Sequence, residues 1–330
     1  MKELALAGNP NSGKTSLFNI LTGSRQHVGN WPGVTVEKKS GLFRKNKKII
    51  IQDLPGIYSL SPYTSEEVIS RNYLLSGNAD GILDVVDATN LERNLYLSLQ
   101  LIETGIPVVL ALNMSDVVEK QGKWIDTTKL SYQLGVPVVA TSALKKTGID
   151  QVMQQAMRVM NQVEEAFYPA YDNHFEAALS EIIRILGNAV PQKQARFYAI
   201  KLFERDKELS EQLVLSDFQK AEIEDAIRIT EEIYTEDAET IVVNARYEFI
   251  ESAVKMALQA DVTKLSLSDK IDRIVTNRYL ALPIFALVMW LVYFLSIQTI
   301  GTMGTDWTND VLFGEWIPNG VKSLLEQLAV

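Results

Sequence analysis

The 330-residue sequence contains no cysteine. That excludes disulfides, thiolate metal sites and a cysteine nucleophile, and it agrees with a reducing compartment. Histidine is almost as scarce. His27 and His174 are the whole supply, too few for a histidine-based metal site, and both read as surface residues. Met1-Lys2 runs directly into an apolar strand, so no signal peptide is expected. Excess positive charge is missing as well. There are 32 Lys and Arg against 41 Asp and Glu, a formal net charge of −9. The imbalance sits in residues 161–260, which hold 20 acidic and 10 basic side chains. A surface of that sign argues against nucleic acid as a partner there, and it reads as a solvated helical face.

An apolar share of 47% is ordinary for a globular core, and the length leaves room for about two domains. The most informative stretch is Gly8-Asn9-Pro10-Asn11-Ser12-Gly13-Lys14-Thr15. It fits G-x-x-x-x-G-K-[ST], the phosphate-binding loop. The glycines let successive backbone N–H groups turn inward around a polyphosphate, Lys14 reaches the β- and γ-phosphates, and the Thr15 hydroxyl can ligate Mg²⁺. Glu3 to Ala7 reads as a buried strand before the loop. Ser16 to Leu21 reads as the helix after it, whose positive end points at the phosphates. Ser16 joins the loop as an expected nucleotide contact.

Ser24 to Val36 is expected to be a loop able to move, because Gly29, Pro32 and Gly33 interrupt regular structure. A strand pair follows, Glu37 to Phe43 and Lys48 to Gln52, ending at Asp53-Leu54-Pro55-Gly56. A carboxylate at a strand end opposite a phosphate loop is placed to hold Mg²⁺, usually through water, and the Gly56 N–H can reach a γ-phosphate. A helix from Ser65 to Leu75, a strand from Gly81 to Asp87, a helix from Leu91 to Thr104 and a strand from Pro107 to Leu112 come next. The last strand ends in Asn113-Met114-Ser115-Asp116. The Asp116 carboxylate can accept from both the ring N–H and the exocyclic amine of guanine, a donor pair that adenine lacks. Asn113 can bind the base or brace the phosphate loop. A strand from Val136 to Ala140 leads into Thr141-Ser142-Ala143-Leu144, where a backbone N–H can meet the guanine carbonyl. A helix from about Ile149 to Asn161 closes the series.

Alternating strands and helices mean an α/β, doubly wound, mostly parallel sheet with its ligand at the carboxyl ends of the strands. All four motifs fall on that edge in order, which specifies a P-loop GTPase. The order of these motifs, and above all Asn30-Trp31-Pro32-Gly33-Val34-Thr35-Val36-Glu37, resembles the N-terminal G domain of the ferrous iron transport protein B family. The resemblance extends through a helical spacer to Ile274-Val275-Thr276-Asn277-Arg278 and the apolar span behind it. It implies a GTPase cycle coupled to Fe²⁺ uptake and a C-terminal, many-helix membrane core beyond residue 330. It also implies a helical domain that slows nucleotide release and links the G domain to the membrane. A small accessory iron-transport protein and self-association are further partners it suggests.

Residues 162–270 read as an all-α domain: Phe175 to Ile183, Ala195 to Glu208, Ser216 to Thr230 and Ala238 to Ala260 are amphipathic, with a short strand-like run at Thr240 to Val243. Gly187-Asn188 and Pro191 separate the first two. The acidic run Glu231-Glu232…Glu236-Asp237-Ala238-Glu239 is either a solvated loop or an attractor of Fe²⁺. From Tyr279 to Thr305 no residue is charged, and about 20 apolar residues span a bilayer. Lys264, Lys270, Arg273 and Arg278 precede the span, whereas Asp306, Asp310 and Glu315 follow it. The positive-inside rule puts residues 1–278 in the cytoplasm, against the inner or plasma membrane. The sequence therefore divides into 1–161, 162–270, a basic flank and first transmembrane helix at 271–305, and a tail at 306–330. The tail is an interfacial amphipathic helix or the start of the next element.

Two departures from the Ras-like pattern bear on mechanism. Ile57 follows Gly56 where a water-orienting glutamine stands in Ras-like enzymes. Met114 stands where the N-x-x-D motif usually carries lysine. Mg²⁺ is assigned to Thr15 and Asp53, with Thr35 joining once GTP orders its loop. Asn11 stands where K⁺-activated GTPases carry asparagine. Either it ligates K⁺ together with the carbonyls of Gly29 and Trp31, or it braces the loop. The catalytic set is then Asn11, Lys14, Thr35 and Gly56. Two alternatives of other kinds are a soluble Era-like GTPase acting on RNA or ribosomes, and a membrane-tethered signalling GTPase.

Overall fold

The computed structural model describes residues 1–23, 26–31, 34–161, 168–260, 274–277 and 280–328. Its first compact unit covers Met1–Val262 and its second Thr263–Val330.

The first strand, β1 (Lys2–Gly8), runs into the phosphate loop, and α1 (Lys14–Thr22) leaves it. Three antiparallel neighbours follow, β2 (Gln26–Asn30), β3 (Glu37–Leu42) and β4 (Ile49–Asp53). Then come α2 (Ser65–Leu75), β5 (Gly81–Asp87), α3 (Leu91–Glu103), β6 (Val108–Asn113) and α4 (Ser115–Lys120). Next are β7 (Lys123–Ile125), α5 (Thr127–Leu134), β8 (Val138–Ala140) and α6 (Ile149–Val159). The seven-stranded sheet has the order β2-β3-β4-β1-β5-β6-β8. From β4 to β8 every pairing is parallel. That is the expected doubly wound P-loop fold.

Strand alternation builds a core on each face of the sheet. Leu4, Leu6, Ile51, Leu83, Val85 and Val109 meet Leu17 and Phe18 of α1 and Val152 and Met153 of α6. Ala5, Ala7, Ile82, Val86 and Leu110 meet α2, α3 and α5 on the other face. There α3 is buried nearly all round, including Leu97, Ser98, Gln100 and Glu103. A helix wedged between a sheet and other helices loses its polar stripe.

The helical elements are α7 (Asn173–Leu186), α8 (Ala195–Phe203), α9 (Lys207–Gln212), α10 (Asp217–Tyr234) and α11 (Ala238–Ala257). Four start on side-chain caps, Asp172, Asp206, Ser216 and Asp237, each accepting from a first-turn N–H; at Ser216 a reciprocal capping box forms with Gln219. Their shared core includes Phe175, Leu179, Ile200, Phe203, Ile227 and Val242. Residues of α8, α9 and α11 (Phe197, Leu209, Ile250 and Val254) join the core beneath the sheet. Buried ion pairs cross the same boundary. Arg246 lies 2.8 Å from Glu103 and 2.9 Å from Glu204, and Arg71 lies 2.8 Å from Asp206.

Four sequence expectations change. Part of the loop expected at Ser24 to Val36 is β2, whose side chains are mostly exposed; an edge strand with no buried face has no apolar alternation to reveal it. The helix expected over Ala195 to Glu208 breaks, because Arg205 adopts φ 55° and Asp206 caps a new start. Thr240 to Val243 is helical, Ile241 and Val242 being buried on one side of α11. The last residues of the helix expected to reach Ala260 instead form β9 (Leu258–Ala260), paired antiparallel with β7.

In the second unit a single helix, α12, runs Ala281–Leu325, long and apolar enough to cross a membrane by length and composition. It carries into the tail without a stop at Thr305. The expected basic flank (Lys264, Lys270, Arg273, Arg278) lies outside the described residues, as do Ser24, Arg25, Pro32, Gly33 and Tyr279.

Candidate functional site

Strands β1, β4, β6 and β8 end at one sheet edge, and each delivers one motif there. At the end of β1, Gly13 sits at φ 90°, and a Cβ on it would come 2.2 Å from Asn113 Nδ2. No side chain fits, so glycine is required where the phosphate loop passes this close to a neighbour. Asn11 also has positive φ, 67°. Its side chain is exposed and makes no hydrogen bond among the described residues, so it does not brace the loop. Buried Asn9 Nδ2 and Ser12 Oγ have no hydrogen-bond partner among the described residues. Buried polar groups are costly unless bonded, so both are available to a polar ligand in the loop.

Lys14 is buried at the start of α1. Its ammonium donates to the Asp53 carboxylate and to the Leu54 carbonyl. Burial raises the Asp53 carboxyl above its ordinary range, the adjacent Lys14 charge opposing this only in part. A cation and a carboxylate thus stand side by side at the strand end. Gly56 lies against the loop, with the position of a Cβ 3.4 Å from Pro10 Cα. Ile57 is buried in the core beneath the sheet. Thr15, Ser16 and Thr35 are exposed. No contact joins Thr35 to Thr15, or Gly29 and Trp31 to Asn11, among the described residues. Trp31 instead packs edge-on against Tyr73, ring centroids 5.5 Å apart, and its carbonyl accepts from Val34 N–H at 3.3 Å.

Asn113 braces the phosphate loop. Its Nδ2 donates to the Ser12 carbonyl at 2.8 Å and its Oδ1 accepts from Ala143 N–H at 2.9 Å. One N–H and one lone pair of the amide are left over. Ser115 Oγ donates to the Leu112 and Thr141 carbonyls at 2.7 and 2.9 Å, pinning α4 to the loop after β8. Met114 is left-handed at φ 61°, and Leu144 is fully exposed at the loop tip. The neighbouring Ser142 hydroxyl and the Lys145 charge hold the Asp116 carboxyl below its usual range, burial opposing them in part. Lys145, whose Nζ lies 3.4 Å from Asp116 Oδ2, was not among the residues singled out from the sequence; only the fold brings them together.

Two family profiles cover most of the chain. Residues 2–156 match ferrous iron transport protein B, and residues 171–259 match the cytosolic helical domain of the same family. The chain belongs to the ferrous iron transport protein B family. A GDP-bound mutant of the S. thermophilus FeoB G domain superposes with a TM-score of 0.78 at 65% identity, covering 78% of this chain and 100% of that one. An mGMPPNP-bound NFeoB from the same organism gives 0.72 at 64% identity, covering 80% and 99%. Among curated relatives, the Escherichia coli K12 Fe(2+) transporter FeoB is 39% identical over 92% of this chain and 40% of its own length. A Porphyromonas gingivalis Fe(2+) transport protein A/FeoB fusion is 42% identical over 92% of this chain and 38% of its own length. The chain therefore spans about two fifths of the curated FeoB relatives it matches. Its α/β part is the family's GTPase domain, and the helices after it are the family's helical domain.

Proposed function

We propose that this chain is the GTP-binding and GTP-hydrolysing N-terminal part of a ferrous iron transporter, with its nucleotide cycle coupled to Fe²⁺ uptake. In this reading residues 1–161 are the G domain and 162–270 a regulatory helical domain. Residues 271–305 are the basic flank and first transmembrane helix, and 306–330 an extracytoplasmic or interfacial tail. Residues 1–278 face the cytoplasm at the inner or plasma membrane. Partners are the guanine nucleotide, the bilayer and the membrane core of the longer protein. An accessory iron-transport protein is supported by the fused Porphyromonas gingivalis relative. Self-association is allowed; nucleic acid is not a partner.

One observation carries the reading. Asn113 ties the phosphate loop to the 142–144 loop, so phosphate and base recognition share one rigid frame. The nucleotide contacts are Gly8 to Ser16, Thr35, Asp53 to Gly56, Asn113 to Asp116, and Ser142 to Leu144. Loop amides and the Lys14 ammonium neutralise the phosphates, and Asp116 accepts from guanine. The Gly56 N–H donates to the γ-phosphate. Thr15 and Asp53, joined by Thr35, would hold Mg²⁺, which supplies charge neutralisation between the β- and γ-phosphates. Asn11, with the Gly29 and Trp31 carbonyls, would hold K⁺ close to the same phosphates.

The experiment is twofold. The chain in detergent should bind GDP and hydrolyse GTP, and Lys14→Ala should lose both. The longer protein carrying Lys14→Ala should then fail to import Fe²⁺ into iron-starved cells. Full uptake by that variant would leave a GTPase with no transport role.

A further inference from the structure

The loop after β8 is closed on itself. Ser142 N–H donates to the Thr147 carbonyl at 3.2 Å, and Thr147 N–H donates back at 3.1 Å. Lys146 takes up the reversal at φ 58°. Lys145 N–H donates to Ser142 Oγ at 3.2 Å. That hydroxyl thereby fixes the Lys145 backbone within the closed turn, and the Lys145 ammonium ends 3.4 Å from Asp116 Oδ2.

The base-reading motif itself brings no cation to this carboxylate, since Met114 fills its second position. We propose that Lys145 is a positioning residue for base recognition, its ammonium holding Asp116 ionised and turned toward guanine. It thereby sets both nucleotide affinity and the preference for guanine over hypoxanthine. The inference rests on the reading that Asp116 accepts from the base.

Acceptor capacity favours support over competition. An ionised carboxylate offers about four lone-pair sites. The two guanine donors take two, which leaves room for Lys145. At 3.4 Å the ammonium acts mainly through charge, so it need not displace a base donor. The side chain of Asp116 is 9% exposed and that of Lys145 50%. A pair half in water is worth little, so the expected effect is a few-fold, not orders of magnitude.

The test compares GDP and inosine diphosphate affinities of the full chain in detergent at low salt. Lys145→Met keeps the backbone N–H that closes the turn and removes only the charge. It should weaken GDP about three- to fivefold and inosine diphosphate less, because hypoxanthine lacks the exocyclic amine. Lys145→Arg should restore wild-type values, and Lys145→Glu should be worse than Lys145→Met. The defect of Lys145→Met should shrink in 1 M salt, where the Debye length is about 3 Å. Unchanged GDP affinity and unchanged base preference in Lys145→Met would overturn the proposal. Asp116→Asn separates the two levels. If it weakens GDP while Lys145→Met does not, only the role of Lys145 falls; if it leaves GDP untouched, base reading by Asp116 falls and this inference with it.

Discussion

Asn113 donates to the carbonyl of Ser12 across 101 residues of sequence, at 2.8 Å. With its Oδ1 on Ala143 N–H, one buried amide holds the phosphate loop and the base loop at a fixed spacing. Asn113→Ala should therefore act on both. Two buried partners lose their bonds, at about 1–3 kcal/mol each where they stay unsatisfied. Thermal unfolding should show the loss, and GDP affinity should fall at least tenfold. Asn113→Asp keeps the acceptor for Ala143 and loses the donor to Ser12, so it should be intermediate. An Asn113→Ala protein with native affinity would mean the two loops hold their spacing without it.

In the proposed reading, guanine selectivity belongs to Asp116. Replacing its carboxylate by an amide in Asp116→Asn puts a donor where the base offered donors. Preference should shift from GTP toward xanthosine triphosphate, whose carbonyl accepts. Competition binding with the two nucleotides reads the switch directly.

Asp84, in the middle of β5, is fully buried and bonded to the Ser98 hydroxyl. Burial pushes its carboxyl up to about 7. The folded state therefore holds a proton that the unfolded chain releases near pH 4. Its contribution is fully present below that pH, declines as pH rises toward 7, and is flat above. Each pH unit between costs up to about 1.4 kcal/mol. Asp84→Asn should remove this slope and exceed the wild type in urea midpoint at pH 8, while the difference between the two shrinks or reverses near pH 4.

Arg246 joins Glu103 of α3 to Glu204 after α8 with almost no solvent access. Removing one partner of a buried pair leaves charge stranded, at about 3–5 kcal/mol. Arg246→Ala should lower the denaturation midpoint accordingly. Arg246→Met combined with Glu103→Met should recover part of the loss, because the Glu103 carboxylate goes with it while Glu204 keeps Lys201 at 2.7 Å.

What was legible in the sequence had a local cause. The Gly8–Thr15 motif and the β5 run Gly81–Asp87 each announce themselves within a few residues, and strand-end placement turned four short motifs into one site. What escaped needed tertiary neighbours. β2 is an exposed edge strand defined only by pairing with β3. β9 leaves the helix register because β7, 137 positions earlier at Lys123↔Ala260, offers a ladder. Lys145 matters through Asp116, 29 positions away, a proximity no spacing rule contains. The shape of α3 misled in the opposite direction: its apolar spacing marked one face, and packing on several sides buried the rest.

The monovalent cation gives the most demanding prediction. An arginine finger contributes about 10³–10⁵ in rate. No such finger is evident in the sequence, and Ile57, where a glutamine would orient water, is sealed in the core. A site left to Lys14 and the loop amides should be slow. The Asn11 side chain is exposed at the loop and unspent on bracing, so its oxygen is available to a cation beside the β- and γ-phosphates. Hydrolysis should then be faster in K⁺ than in Na⁺ at equal ionic strength, because ligands spaced for the larger ion fit the smaller one poorly, and GDP affinity should barely differ. Asn11→Ala should abolish the K⁺ effect and keep nucleotide binding largely intact. Full K⁺ stimulation in Asn11→Ala would place the ion elsewhere. Equal rates for the wild type in the two salts would leave Asn11 without a cation to hold.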